Sequence, residues 1–483
     1  MIVLYIVLAL VALLIVVLAV NTLRKKPHSP AATAPVSIPL NDDELAQHLA
    51  GMLRFKTVTS LTMEGFDRKE FLGLHKFLEK TYPLMHKTLD KEIVNEYSLL
   101  YHWKGTASEQ KPFLMMAHMD VVPVEEGSAG DWKHEAFSGD VADGYIWGRG
   151  AIDMKGQLAS IFESVEHLLA EGFAPKRDIY IAIGHDEESM GRFGAISIVE
   201  RLKEKKVQLD FVIDEGGVVM DGKMLGINAM VATIGICEKG YADIRLTAKS
   251  AGGHASRPPK ETAVGALSKA IVAIEKHQMK SSLNQPLKDM LAAVGGHMKF
   301  PLNVIASNLF ITKPLLLKGL AAGSTGAAMV RTTGAPTMLK GSAAPNVLAD
   351  CAEAVVNFRI APEETVDDVL AHVRKVTRGG VEATTMHAYN PSAVSRTDSE
   401  AYRVIARTAG EIFPGYLVAP YLMIAATDSR WYTPIADGVY RFQPFRSLSE
   451  DLGTIHAVGE RLSIESLREG VQFFIRLVKN ADE

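Results

Sequence analysis

The chain has 483 residues, of which 47% are hydrophobic and 22% are charged. This composition excludes a disordered or collagen-like chain, and the length suffices for roughly two to four domains with a large core. The 52 basic and 56 acidic residues leave a net charge of −4, which argues against a dedicated nucleic-acid-binding protein. Two cysteines, Cys237 and Cys351, are too few for a disulfide scaffold or a cysteine-rich zinc module.

The first twenty residues form an uncharged apolar run, which Arg24, Lys25 and Lys26 follow. In a helix that rises about 1.5 Å per residue, such a run spans a hydrocarbon core of about 30 Å. We predict a single-pass transmembrane anchor at residues 1–23. The alternative is a cleaved signal peptide, but the basic residues follow the apolar run and no A-x-A site closes it. The positive-inside rule favours a cytoplasmic body, although three residues leave the side of the membrane open.

A Pro/Ala/Ser-rich linker is predicted at residues 24–40, between this helix and the folded body. The body begins near Asn41, a typical N-cap residue, and the acidic residues 42–44 suit the first turn of a helix.

Short apolar runs alternate with amphipathic stretches between residues 41 and 238. Strands are predicted at 113–117, 179–184 and 211–213, and a helix at 157–170. This alternation predicts an α/β fold with a mixed, mainly parallel sheet, of which 41–238 form the first part.

The pattern changes after residue 238 and follows a β-α-β-β-α-β order, which predicts an inserted ferredoxin-like α+β domain at residues 239–390. Its predicted elements are strands at 240–249, within 346–360 and at 381–387, and helices at 261–277 and 365–378. Residues 281–343 are Gly- and Leu-rich and receive no assignment. Residues 391–483 are expected to complete the catalytic domain.

Polar clusters directly follow the three predicted strands of the first domain. They read HMD at 118–120, GHDEES at 184–189 and DEGG at 214–217. Because side chains alternate along a strand, His118 and Asp120 point the same way, which suits a metal-bound imidazole held by a carboxylate. Acidic neighbours at the end of a buried strand repel one another unless a cation neutralises them.

Asp153, in the glycine-rich turn GRGAIDMKG, and His456, near the end of the chain, add a carboxylate and a second imidazole. The glycine spacing does not match a nucleotide-binding loop. Each signal is weak by itself, since most isolated histidines and acidic triplets are surface or core residues. Together they predict a His/carboxylate site suited to Zn²⁺, with an open position for water.

The ordered motifs HMDVVP, GRGAIDMKG, GHDEES, DEGG and GGHAS resemble those of the dinuclear zinc peptidases that include carboxypeptidase S and the aminoacylases. The resemblance is closest to the branch of carboxypeptidase S and the N-fatty-acyl-amino-acid synthases/hydrolases. It continues through PPKETAVG, VNFRIAP, TDSRWY, GVYRFQP and IHAVGERLS, and so covers nearly all of residues 41–480. It implies a zinc-exopeptidase-like catalytic domain in which the inserted domain is a lid.

The resemblance also implies two zinc ions per chain and a role for each matching residue. The implied metal ligands are His118 and Asp214 on one zinc, Glu188 and His456 on the other, and Asp153 as the bridge. The implied catalytic residues are Glu187 as general base, Asp120 as the partner of His118, and His254 at the oxyanion. The implied substrate-binding residues are Asn346 for the backbone and Arg359 for the carboxylate.

The implied reaction is hydrolysis of the amide bond of N-acyl amino acids, including N-fatty-acyl amino acids, or the reverse condensation. A carboxypeptidase that removes C-terminal residues from small or N-blocked peptides is the alternative, and the sequence does not decide between them. A catalytically inactive, membrane-tethered binding protein is a third interpretation, against which Glu187 and the complete ligand set argue. The expected partners are a small-molecule substrate and the membrane, with no nucleic acid.

Overall fold

A computed structural model describes residues 1–24, 36–62, 64–107, 109–447 and 449–483. Its α-helices are α1 (Ile2–Arg24), α2 (Asp42–Leu53), α3 (Arg68–Thr81), α4 (Pro83–Thr88), α5 (Lys155–Ala170), α6 (Ala195–Glu204), α7 (Ala263–Lys276), α8 (Gln285–Val294), α9 (Leu302–Ser307), α10 (Leu309–Leu320), α11 (Ser324–Val330), α12 (Val366–Thr377), α13 (Glu400–Ile412), α14 (Ser449–Leu452) and α15 (Ile464–Ala481). Its strands are β1 (Asp90–Val94), β2 (Ser98–Trp103), β3 (Phe113–His118), β4 (Asp140–Ala142), β5 (Tyr145–Trp147), β6 (Ile179–Gly184), β7 (Leu209–Asp214), β8 (Val219–Asp221), β9 (Met230–Glu238), β10 (Gly240–Lys249), β11 (Gly253–His254), β12 (Thr333–Lys340), β13 (Val347–Leu348), β14 (Cys351–Ile360), β15 (Glu382–Tyr389), β16 (Leu417–Met423), β17 (Ala436–Arg441) and β18 (Arg461–Ser463). Short 3₁₀ helices lie at Glu126–Asp131, Glu187–Ser189, Gly222–Leu225, Gly295–His297 and Asp428–Ile435.

The largest sheet has the strand order β1-β2-β6-β3-β7-β17-β9-β16, with β8 paired to β9. The neighbouring pairs β6–β3, β3–β7, β7–β17 and β9–β16 are parallel. Both β3 and β6 are buried at every residue, as continuous apolar runs predict for strands covered on both faces. The predicted α/β fold with a mixed, mainly parallel sheet is confirmed.

Helices cover both faces of this central sheet. Side chains of β3 alternate between the two cores, so Phe113 and Met115 pack with Phe162 of α5, whereas Leu114 and Met116 pack with Ile198 of α6. The resulting three layers hold the carboxyl ends of the central strands at one edge, open to solvent or ligand.

A second, antiparallel sheet has the order β12-β14-β10-β15. Its core includes Leu267 of α7 and Val369 of α12, so both helices pack on this sheet. Along the chain the order is β10, α7, β12, β14, α12, β15, which is the β-α-β-β-α-β arrangement expected for residues 239–390. The domain boundaries and the lid role remain predictions.

The unassigned segment 281–343 forms α8–α11 and β12. Leu287 and Leu291 of α8 share a core with Leu417 and Ala419 of β16, so this helical segment is attached to the edge of the central sheet. The helices are short, Pro314 lies inside α10, and α10 has no fully buried residue. α10 therefore lacks the one-sided apolar periodicity that identifies a helix in sequence.

At the N-terminus, α1 is 23 residues long, apolar, and the one helix in the described residues that is long and apolar enough to cross a membrane. A signal sequence meets the same criteria. The predicted linker falls mostly at residues 25–35, which lie outside the described residues. As predicted, Asn41 caps α2, and its side-chain oxygen accepts the backbone N–H of Glu44.

Candidate metal centre and active site

The polar clusters predicted from the sequence meet at one edge of the central sheet. The three adjacent parallel strands β6, β3 and β7 run in the same direction and end beside one another. His118 is the last residue of β3, the 3₁₀ turn Glu187–Ser189 follows β6, and Glu215 follows β7. Ligand sites of α/β proteins lie at this edge.

Asp153 lies between the two imidazoles. The distance from His118 Nε2 to Asp153 Oδ1 is 3.1 Å, and the distance from His456 Nε2 to Asp153 Oδ2 is also 3.1 Å. On the outer sides, Glu188 Oε1 lies 3.2 Å from His456 Nε2, and Glu215 Oε1 lies 3.7 Å from His118 Nε2. Each oxygen of Asp153 therefore faces a half-site with one imidazole and one further carboxylate, the arrangement that two bridged cations require.

The structure presents a second candidate ligand, Glu215, directly after Asp214, the last residue of β7. Asp214 was the expected ligand, but its Oδ2 accepts the backbone N–H of Ser429 at 3.1 Å, and Glu215 is the one that joins His118 in a group of potential metal ligands. Successive side chains of an extended chain point to opposite sides, and the carboxylate that lies near His118 Nε2 is Glu215 Oε1, at 3.7 Å. The role of Asp214 as a metal ligand stays a prediction.

The electrostatics of the cluster indicate a missing positive charge. Burial and the nearby charge of Asp153 together raise the pKa of Glu188 to about 7. Burial and Asp153 likewise raise the pKa of Glu215 to about 8. Hydrogen bonds to Asp153 and Glu188 raise the pKa of His456 to about 10, so a proton is held where carboxylates converge. The donor set, imidazole nitrogens with carboxylate oxygens, fits zinc.

Asp120 connects the imidazole to the acidic turn. Its Oδ1 lies 3.4 Å from His118 Nδ1 and accepts the backbone N–H of Glu187 at 3.1 Å. Its Oδ2 accepts the backbone N–H of Glu188 at 3.1 Å and the hydroxyl of Thr59 at 2.6 Å. Asp120 is fully buried, so these bonds fix both the ring of His118 and the turn that presents the two glutamates.

Glu187 lines the cavity beside the cluster. Burial raises its pKa well above the usual value, and the like charges of Asp428, Glu215 and Glu188 contribute in the same direction. A carboxyl group with a raised pKa, next to the candidate metal ligands, is suited to accept and return a proton.

Glu460 was not identified from the sequence as a site residue. Its Oε2 pairs with Arg149 at 2.7 Å and accepts the N–H of Gly150, and its Oε1 accepts the N–H groups of Ile152 and Asp153 at 3.0 and 3.1 Å. This fully buried carboxylate organises the turn that presents Asp153. Its sequence signal was its position inside the IHAVGERLS motif.

A cavity of about 980 Å³ opens from the cluster into the helical segment. Asp153, Glu187, Glu188, Glu215 and His456 line one part of it. The helical segment contributes a wall that is almost entirely apolar: Leu287, Met290, Leu291, Met298, Leu302, Ile305, Ala306, Leu316, Leu320 and Met329. The segment without a sequence assignment thus forms much of the binding cavity.

Two arginines also line the cavity. The guanidinium carbon of Arg359 lies 5.0 Å from the ring centre of Tyr241, and that of Arg430 lies 4.5 Å from the ring centre of Tyr389. The two tyrosine rings stack on each other at 5.6 Å. Among the described residues neither arginine forms an ion pair with a carboxylate, so both can bind an anionic group of a ligand. Arg359 was predicted; Arg430 was missed, although it lies in the TDSRWY motif.

His254 lies on β11 and Asn346 directly precedes the paired strand β13, and neither residue lines the cavity. The backbone carbonyl of Asn346 accepts the N–H of Ala255 at 3.0 Å, and His254 Nδ1 lies 2.8 Å from the hydroxyl oxygen of Ser256. Both residues are exposed. Their predicted contacts with substrate remain predictions, because these contacts need the second sheet to approach the cluster.

Comparisons with known proteins identify the family of this chain. The model of peptidase family M20/M25/M40 matches residues 114–480. The probable carboxypeptidase S-like 2 of Dictyostelium discoideum is 36% identical, over 97% of this chain and 92% of its own length. The N-fatty-acyl-amino acid synthase/hydrolase PM20D1 of Xenopus tropicalis is 37% identical, over 91% of this chain and 86% of its own length. The human PM20D1 is 34% identical, over 99% and 96%.

Solved structures share the fold at low identity. An M20 family metallo-carboxypeptidase from Sulfolobus solfataricus superimposes with a TM-score of 0.68 at 17% identity, covering 90% of this chain and 99% of its own. Human carnosine dipeptidase 1 gives a TM-score of 0.61 at 12% identity, covering 91% and 97%. These relatives offer no support for the interpretation as an inactive binding protein.

Proposed function

Since the chain belongs to the M20/M25/M40 peptidase family, we propose that this amidohydrolase uses two zinc ions to cleave the amide bond of N-fatty-acyl amino acids. The observation that carries the proposal is the cavity, which joins the candidate metal ligands to a long apolar wall and to two unpaired arginines.

The cavity fits a fatty acyl chain better than a short peptide. Its volume of about 980 Å³ is at the upper end of the range for small-molecule sites. Each methylene group buried against an apolar wall contributes about 0.8 kcal/mol. A peptide would leave backbone amide groups unsatisfied against the same wall. The alternative, a carboxypeptidase for N-blocked peptides, draws its support from the carboxypeptidase S-like relatives.

The proposed metal ligands divide into two half-sites. His118 and Glu215 would hold one ion, His456 and Glu188 the other, and Asp153 would bridge them with its two oxygens. When bound, the two ions would lower the pKa of a water molecule and polarise the amide carbonyl. The donor atoms and the raised pKa values of the glutamates support this assignment.

Glu187 is the proposed general base and general acid of the reaction. Its carboxylate accepts a proton from the attacking water and then donates it to the nitrogen of the departing amino acid. Asp120 supports both steps, because its hydrogen bonds hold the backbone of the Glu187–Glu188 turn and the ring of His118. The same residues in reverse order would serve the condensation.

The free carboxylate of the amino acid would bind to Arg359 and Arg430. Both guanidiniums line the cavity at the stacked Tyr241–Tyr389 pair. A charge-assisted hydrogen bond to a carboxylate is stronger than a neutral one, so this pair would select substrates with a free carboxyl group.

We also propose that α1 is retained as a membrane anchor. Its polar side chains Asn21 and Thr22 form hydrogen bonds with Asn308 of the folded body, which a cleaved signal peptide would not need. A membrane location agrees with lipid-derived substrates.

The test is a series of N-acyl amino acids, from acetyl to oleoyl, with zinc-loaded protein. We expect kcat/KM to rise by about fourfold per added methylene, the equivalent of about 0.8 kcal/mol, until the cavity is filled. An N-blocked dipeptide with the same C-terminal residue is the comparison substrate. Faster cleavage of that dipeptide, or a preference for the acetyl group, would contradict the proposal.

A further inference from the structure

One surface of the helical segment exposes large apolar side chains side by side. Before α9, Phe300 is 81% exposed, and on α10 Phe310, Ile311 and Leu315 are 69%, 45% and 60% exposed. Residues 311 and 315 share one face of α10, since residues four apart are neighbours on a helix, and Phe310 lies on the side next to that face. We call the surface formed by Phe300, Leu302, Phe310, Ile311 and Leu315 the apolar platform. A soluble surface seldom groups such side chains without a partner.

The transmembrane helix candidate packs directly beside this platform. The side-chain amide of Asn308, the residue between α9 and α10, is fully buried and donates to the Leu18 carbonyl and the Thr22 hydroxyl, both at 3.3 Å. Its Oδ1 accepts the side chain of Asn21 at 3.1 Å. The partly buried residues of α1 are Leu14, Leu18, Asn21 and Thr22, which lie on one face of the helix.

These contacts fix the level of the platform relative to a bilayer. Asn308 binds α1 at residues 18–22, where the apolar run of α1 ends. Phe310 and Ile311 follow Asn308 by two and three residues, so in a bilayer spanned by α1 they would lie at the boundary between hydrocarbon and headgroups. Exposed lysines border the platform at positions 299, 313 and 318. Lysine side chains at this depth extend to the headgroups and attract anionic lipids.

The platform is also the outer side of the cavity wall. Leu316 and Leu320 of α10 line the cavity, whereas Leu315 of the same helix is exposed on the outer surface. Leu302 does both, because it lines the cavity and is 40% exposed. The apolar interior therefore reaches the surface within the platform, one helix away from the candidate membrane span.

We propose that the apolar platform inserts into the leaflet that α1 enters, and that a lipid-resident acyl chain passes from the bilayer into the cavity at Leu302. The occupant of the platform is the lipid bilayer, as its continuity with α1 and the bordering lysines indicate. The acyl-passage part of the inference rests on the proposed function, whereas the insertion of the platform does not.

Insertion is tested with the full-length chain in liposomes of phosphatidylcholine and phosphatidylglycerol. A polarity-sensitive fluorophore is attached to Phe310→Cys in a Cys351→Ser background, because Cys351 is exposed and Cys237 is buried. Ile93→Cys is the matched control, since Ile93 is 53% exposed and lies on β1, at the sheet edge opposite β16. We expect a blue-shifted emission at position 310 that spin-labelled lipid quenches, and aqueous emission at position 93.

Two results would overturn insertion: aqueous emission at position 310, or quenching by a second labelled copy of the chain and not by lipid. This measurement needs no catalysis, so it does not depend on the proposed substrate.

Passage of the acyl chain is tested with the double variant Phe310→Ser/Leu315→Ser. With an N-oleoyl amino acid in the same liposomes, we expect kcat/KM to fall at least tenfold, and with a water-soluble N-butyryl amino acid to stay unchanged. Ile93→Ser should match the unmodified chain on both substrates. Equal rates of the double variant and the unmodified chain on the oleoyl substrate would overturn the passage. If the unmodified chain hydrolyses neither substrate, the proposed function itself is wrong.

Discussion

Oε1 of Glu460 accepts the backbone N–H of Asp153 at 3.1 Å. A residue more than three hundred positions away thus holds the backbone of Asp153, whose carboxylate faces the imidazoles of His118 and His456. The same side chain binds three neighbouring groups of the Asp153 turn. The geometry of the candidate metal centre therefore depends on a residue that is not itself a candidate metal ligand.

The substitution Glu460→Gln should weaken zinc binding about tenfold to a hundredfold, because residues that orient a ligand carry effects of that size. It should also lower the free energy of unfolding by about 1–3 kcal/mol, since Arg149 is left buried without a counter-charge. Competition with a chromogenic chelator and chemical denaturation measure the two effects. Glu469→Gln is the matched control: this buried glutamate pairs with Arg446, so its loss should reduce stability and leave zinc affinity unchanged.

The substitution Glu187→Gln should retain both zinc ions and lower kcat by about two to four orders of magnitude, because an amide side chain cannot accept the proton. Metal analysis and a steady-state assay measure these quantities. Its neighbour provides the contrast: Glu188→Gln should lose metal as well as activity. An active Glu187→Gln enzyme would show that another group is the base.

Variants of Asp214 and Glu215 distinguish the two possible assignments of the outer ligand on the ion held by His118. Glu215→Gln should reduce the zinc content from about two to about one per chain, because one half-site loses its outer carboxylate. Asp214→Asn should keep both ions, since an asparagine oxygen can still accept the Ser429 N–H. The zinc content of each variant after gel filtration shows which of the two residues is the ligand. The opposite pattern would favour the assignment that the motif resemblance implies.

Arg359→Gln and Arg430→Gln should each raise KM for an N-acyl amino acid by about tenfold to a hundredfold, because each removes a charge-assisted hydrogen bond to the carboxylate. An N-acyl amine of the same chain length, which has no carboxylate, should show no change. Arg396→Gln is the control, since Arg396 is exposed and pairs with Asp398. Equal losses on both substrates would indicate a structural role for the arginines.

The contribution of the Glu188 and Glu215 carboxyl groups to the stability of the metal-free protein should fall as pH rises from about 5 to about 8. The pKa values of Glu188 and Glu215 are raised from 4.5 to about 7 and about 8 in the folded state. In this range the folded state thus holds protons that the unfolded state has released. The raised pKa of His456 acts in the same direction.

Zinc should reverse this trend, because it binds the ionised carboxylates and replaces their protons. Thermal unfolding at pH 6 and pH 8, with and without zinc, measures the effect, and the gain in Tm should be larger at pH 8. In the double variant Glu188→Gln/Glu215→Gln the metal-free protein should depend less on pH. If the Tm difference between the unmodified protein and this double variant, both metal-free, is the same at pH 6 and pH 8, the shifts are contradicted.

The sequence predicted the elements whose patterns are local. The apolar runs at β3 and β6 and the N-cap at Asn41 are visible within a few residues. The segment 281–343 was not predictable in this way, because α8 is stabilised by β16, more than a hundred residues further along the chain. The position of α8 is evident only in the folded structure, where β16 packs against it.

The site shows the same division between local pattern and tertiary contact. The ends of β3 and β6 indicated His118 and Glu188 as candidate ligands, and the order of the motifs added Asp153 and His456, which lie in loops. The choice between Asp214 and Glu215 depends on the direction of one extended residue, and the anchoring by Glu460 depends on a loop at the other end of the chain. Neither contact leaves a periodic signal.

The sequence by itself determined that this is a mildly acidic α/β protein with an apolar N-terminal helix and a His/carboxylate centre, because composition, periodicity and motif order are properties of neighbouring residues. Only the tertiary structure decided that Asp153 lies between two imidazoles, that two arginines border the cavity, and that α1 packs against the wall of that cavity. Contacts between residues far apart in the chain depend on how the helices and strands pack together. That packing exists only in the folded protein and leaves no pattern among neighbouring residues.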